Sequence, residues 1–184
     1  MHDNDHVLYA PWGEVTPEFW TGAAAPHATP DPAPAPGGPL PLPAEHRDQL
    51  ATATAAMADG HLTEAEEIAR ILEQRIAKAY GQRHEYTTNV REMQAHIAHL
   101  IGDHATATRI YLSVTDSRAD ARGVGDPLTR ASARRAMATW QAITDPPETR
   151  ELADSVIAML SKVTGESSGA TRNARAHLAR RRTP

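Results

Sequence analysis

Leu, Ile, Val and Phe occur 12, 8, 7 and 1 times in 184 residues, about 15% of the chain, while Ala occurs 34 times and Cys never. So few bulky side chains cannot fill a thick sandwich or barrel core, although thin, closely packed helices can use alanine. The missing cysteine excludes disulfides, thiolate zinc sites and a cysteine nucleophile, and no apolar run reaches the length of about 18 residues that a membrane span needs.

The net charge of −4 is unevenly spread. Residues 1–43 carry Asp3, Asp5, Glu14, Glu18 and Asp31 with no Lys or Arg, residues 44–164 are nearly neutral, and residues 165–184 set Glu166 against Arg172, Arg175, Arg180, Arg181 and Arg182. Oppositely charged ends can attract each other or recruit separate partners. The start, Met1-His2-Asp3-Asn4-Asp5-His6, lacks a basic and then apolar leader, so a cytoplasmic location is expected. The Ala/Arg/Pro-rich composition fits a high-GC bacterial genome.

In chain order, residues 1–22 gather Tyr9, Trp12, Phe19 and Trp20 among acids, half of the chain's aromatics. Aromatics held outside a main body are costly to leave in water, so this stretch reads as a docking segment that either folds back or reaches another protein. Residues 23–43 hold eight prolines among Ala and Gly. Proline fixes φ and lacks a donor, which predicts an extended, semi-rigid linker.

From residue 44 the apolar residues recur every three to four positions, predicting helices over 44–59, 63–80, 85–101, 104–121, 127–143 and 147–164. Gly60 and Gly81 stand where helices stop. Thr63-Glu64-Ala65-Glu66 has the pattern of a capping box, and Asp126-Pro127 and Asp145-Pro146 place an Asp cap before a first-turn proline. Residues 165–184 are expected to be a basic, disordered tail.

The body repeats itself. Gly60, Ala65, Ile68 and Leu72 match Gly102, Ala107, Ile110 and Val114 at an offset of 42 residues, and a third copy is placed at Thr149–Leu160 with an offset of 46, which requires an insertion. Each unit is a helical hairpin that turns at Gly and brings its helices close at a small Ala; such hairpins must stack to hide their apolar stripes. The stretch Met93–Tyr111, with Ala95, Gly102, Ala107 and Tyr111 in the key places, resembles a tetratricopeptide repeat. The resemblance implies an all-α fold of antiparallel hairpins stacked over residues 44–164. It also implies a concave groove, lined by the first helix of each hairpin, that binds a protein or peptide.

On that reading the groove face of 85–101 carries Asn89, Glu92, His96 and His99, that of the first helix Arg47, Leu50, Thr54 and Met57, and that of 127–143 Ser132, Arg135 and Thr139. Arg47, Asn89, Glu92, His96, His99 and Arg135 are the candidate partner-binding residues, and a non-catalytic adaptor or regulatory subunit without a cofactor is the function implied. Two alternatives stand beside it. The basic C-terminal end offers arginines to nucleic-acid phosphates, and Glu92, His96 and His99, with His104 near, have a spacing that can present ligands to Zn²⁺ in a helical metal-dependent enzyme. Gly123-Val124-Gly125 lacks the strand and the spacing of a dinucleotide loop and reads as a helix connection.

Overall fold

A computed structural model describes residues 39–181. The aromatic segment with Tyr9, Trp12, Phe19 and Trp20, and the linker up to residue 38, lie outside the described residues. The protein is all-α, and the described residues contain no strand. Among the described residues seven helices follow one another: α1 (Ala44–Ala58), α2 (Leu62–Tyr80), α3 (Glu85–Ile101), α4 (His104–Arg122), α5 (Pro127–Ala142), α6 (Pro146–Thr164) and α7 (Gly169–Arg180). Each packs chiefly on its neighbours in the chain, and α4 also packs on α6.

From α2 onward the helix starts recur at a fixed spacing. α2, α4 and α6 are each 19 residues long and start at Leu62, His104 and Pro146, 42 residues apart. α3, α5 and α7 start at Glu85, Pro127 and Gly169, again 42 apart. The third hairpin therefore needs no insertion, and the offset of 46 is replaced by 42, with Thr149 in the place of Ala65 and Ala107. Alanine pairing hid this register, because the third copy puts a buried Thr where the first two have Ala.

Glycine times the turns. Gly60, Gly81, Gly102 and Gly123 fall 21 residues apart and Gly165 a further 42, all at φ between 78° and 103°, where a Cβ is disfavoured. Thr144 fills the empty slot; there the chain leaves α5 through an extended Ile143 and restarts on Asp145-Pro146. The Asp caps form as the sequence predicts: Asp126 Oδ1 accepts from Leu128 N–H at 2.8 Å, and Asp145 Oδ2 from Glu148 N–H at 3.1 Å. The capping box at Thr63 does not form. His61 N–H is tied to Ala56 C=O at 2.8 Å in the preceding turn, so α2 starts one residue earlier with His61 as its uncapped N-terminal neighbour.

The stretch read as a basic tail holds α7. Beneath its arginines, Thr171, Ala174 and Leu178 form a short apolar stripe at helical spacing, buried against the preceding helices. Ser168 Oγ caps it by accepting Thr171 N–H at 3.1 Å, and the His177 ring meets buried Trp140 edge-on at 4.9 Å. Two apolar clusters result. Leu42, Leu50, Leu72, Ile76, Val90, Met93 and Ile97 pack within α1–α3, and Trp140, Ile143, Leu152, Val156, Leu160 and Leu178 pack around α5–α7. Between them Tyr111 sits against Ala95 and Ala136, two small residues that let the helices close around its ring.

Candidate functional site

The residues forecast as a groove lining fall into three settings. Asn89, Glu92 and Arg135 come together, but buried: they are 7%, 6% and 7% exposed, in the seam where α3, α4 and α5 meet. They are not an open wall. Arg118 of α4, which the sequence reading did not single out, is 3% exposed and completes the cluster. Its Nη1–H and Nη2–H grip Glu92 Oε1 and Oε2 at 2.8 and 2.6 Å, Nη1–H also reaches Ser132 Oγ at 2.7 Å, and Nη2–H reaches Asn89 Oδ1 at 3.2 Å. Arg135 donates to the same Glu92 Oε1 from the other side. One carboxylate thus joins two guanidiniums and three helices. Desolvating such charges is expensive, and the fork-to-fork geometry with added polar partners is what makes their burial tolerable.

His96 lies beside this cluster. Burial pushes its imidazole below the usual range and the positive charge of Arg135 adds to that, while Glu92 opposes them, so the protonated form of His96 is disfavoured. His99 lies apart, at the α3–α4 turn, its Nδ1 3.0 Å from His104 Nδ1, so one ring must donate to the other. With Glu92 engaged by two arginines and His99 by His104, the Glu92/His96/His99 triad does not assemble as a ligand set. Among the described residues no group of three or more metal-ligating side chains comes together.

Arg47 belongs to the third setting, which is the informative one. Residues Pro39–Pro43 lie outside any helix and reach across α1 and α3. Leu40 N–H donates to Glu85 Oε1 at 3.3 Å, Asn89 Nδ2–H donates to Leu40 C=O at 3.2 Å, and Arg47 Nε–H donates to Leu42 C=O at 3.1 Å. Leu42 turns inward and is 6% exposed in the α1–α3 cluster, while Leu40 stays 41% exposed. Glu85 and Asn89 are one helical turn apart, the spacing needed to meet both the N–H and the C=O of one residue. Side chains from two helices thus read a main chain, and a single leucine supplies the apolar anchor. Asn89 joins this face to the ionic seam below, because its Oδ1 accepts from Arg118 while its Nδ2 serves Leu40.

The C-terminal arginines are largely turned to local work. Arg175 pairs with Glu166, Arg172 donates to Ser167 C=O, and Arg181 reaches Ile143 and Thr144 C=O at 3.2 and 3.3 Å. No helix among the described residues is long and apolar enough to cross a membrane. No protein-family model and no curated protein matches this chain.

Proposed function

We propose that the chain is a non-catalytic, cytoplasmic adaptor or regulatory subunit whose α1–α3 face holds an extended segment of a partner protein. The one observation that carries this reading is the capture of Leu40 by Glu85 and Asn89, with Arg47 on Leu42: the face is built to hold main chain, and a partner's segment would take the place of the chain's own residues 40–42. Recognition through backbone groups with one or two leucine pockets is how extended peptides are commonly bound. The stacked hairpins support a tetratricopeptide-like array, with units of 42 residues against about 34 in that repeat. Glu92 and Arg135 serve beneath the face, as its scaffold, and Arg47 and Asn89 serve on it.

The test is selection from a displayed peptide library with the full chain as bait. The expected outcome is enrichment of extended segments with alternating leucines, and loss of that binding in Arg47→Ala/Asn89→Ala while circular dichroism stays helical. Absence of enrichment, or equal enrichment by the double variant, would contradict the reading.

A further inference from the structure

At the end of the hairpins where α1 and α3 begin and α2 ends, four rings crowd together. Tyr80 lies 5.1 Å from Tyr86 in an edge-on pair, 5.3 Å from His84 and 6.3 Å from His46, and His84 lies 4.6 Å from Tyr86. Tyr86 packs into the α1–α3 core, but Tyr80 is 37% exposed, and its hydroxyl donates to Glu45 Oε1 at 3.1 Å, which fixes the ring. An exposed, braced aromatic surface at this place is not used by the main-chain capture described above.

The docked segment points to what covers it. Leu40 presents its N–H to Glu85, in the first turn of α3, and its C=O to Asn89, one turn further on. The N-terminal side of Leu40 therefore faces the beginning of α3, where His84 is the cap and Tyr86 the second residue. There 38 residues precede the described part, and those nearest are Pro30-Asp31-Pro32-Ala33-Pro34-Ala35-Pro36-Gly37-Gly38. Proline rings dock on aromatic faces in pre-stiffened polyproline form, at little entropic cost. At about 3.1 Å per residue, Pro36 has a reach of roughly 12 Å from Leu40.

We propose that the His46/Tyr80/His84/Tyr86 cluster seats the chain's own proline-rich arm, with Pro34 and Pro36 against Tyr80. The arm then extends the Leu40–Leu42 contact into one continuous strap over the entry side of α1 and α3. This holds whether or not a partner shares the face.

The test is nuclear magnetic resonance on the full chain. The expected result is upfield-shifted δ-protons of Pro34 and Pro36, with cross-peaks to the Tyr80 ring, and a shift of the Tyr80 ring resonances in Pro34→Ser/Pro36→Ser. Circular dichroism of that variant should match that of the parent protein. Tyr80 resonances identical in the two proteins, without cross-peaks, would overturn the proposal. Cross-peaks found only between differently labelled molecules would overturn it too, by making the occupant a second copy. Loss of the proline shifts in Tyr80→Leu, with helicity kept, would support it.

Discussion

The seam of α1–α3 and the seam of α3–α5 are the same construction built with opposite chemistry. Leu50, Ile76 and Met93 hold the first together, all buried in one apolar cluster. Moving each by the 42-residue period gives Glu92, Arg118 and Arg135, the buried ionic cluster of the second. Helix lengths and turn glycines are almost unchanged between the two, so the backbone period does not require either chemistry. The apolar seam is cheap and tolerant. The ionic one is exacting, and it fixes Asn89 through Arg118 just where Asn89 holds Leu40, so it is placed where side-chain orientation matters to the peptide-holding face.

The largest effect should come from unbalancing the ionic seam. Glu92→Leu alone leaves two buried guanidiniums without their carboxylate and should lower stability by about 3–5 kcal/mol in urea titrations. Glu92→Leu/Arg118→Ile/Arg135→Met installs the first seam's residues and should recover most of that loss, or exceed the parent protein. Failure of the triple variant to recover would mean that the two seams are not equivalent.

Leu42→Ala removes the anchor of the docked segment from the apolar seam and should cost about 2 kcal/mol, the lower end for a buried leucine. A cost near zero would show that residues 39–43 contribute nothing to the fold.

Acid should act on the ionic side of the molecule. His96 and His177 both have imidazoles depressed first by burial, then by neighbouring arginines: Arg135 for His96, Arg181 and Arg180 for His177. A histidine depressed in the folded state takes its proton first in the unfolded chain, so its contribution is whole above the ordinary histidine range and fades as pH falls through it. Melting temperature should therefore drop between about pH 7 and 5, and His96→Phe should flatten that slope. An unchanged slope would remove His96 from the account.

The smallest difference lies in the turns. Thr87 and Thr171 donate to Gly81 and Gly165 C=O at 2.7 and 2.9 Å, but Thr129, in the same place 42 residues from each, is buried with no partner for its hydroxyl. Thr87→Val should cost about 1 kcal/mol, and Thr129→Val should be neutral or stabilising. Equal costs would deny the distinction.

The fold was legible in the sequence wherever punctuation was strong. Turn glycines and Asp-Pro caps act locally, so six helices follow from them. α7 escaped because its apolar side is Thr171, Ala174 and Leu178, too slight to stand out among five arginines. The candidate site was half legible. Helical spacing put Asn89 and Glu92 on one face of α3, and the repeat resemblance put Arg135 on the matching face of α5, but neither says whether a face is open or closed. Arg118 settles that, and its signal was present: at the register of 42, an arginine stands where the preceding hairpin has Ile76. Glu85 left no such mark, because its role depends on a segment 45 residues earlier in the chain.

Amide hydrogen exchange at Leu40 tests the main-chain capture most directly. The account predicts slowed exchange of the Leu40 N–H in the full chain and its release in Glu85→Ala/Asn89→Ala, with the amides of α5 and α6 still protected. Exchange of Leu40 at the rate of a free peptide in the unaltered protein would contradict it.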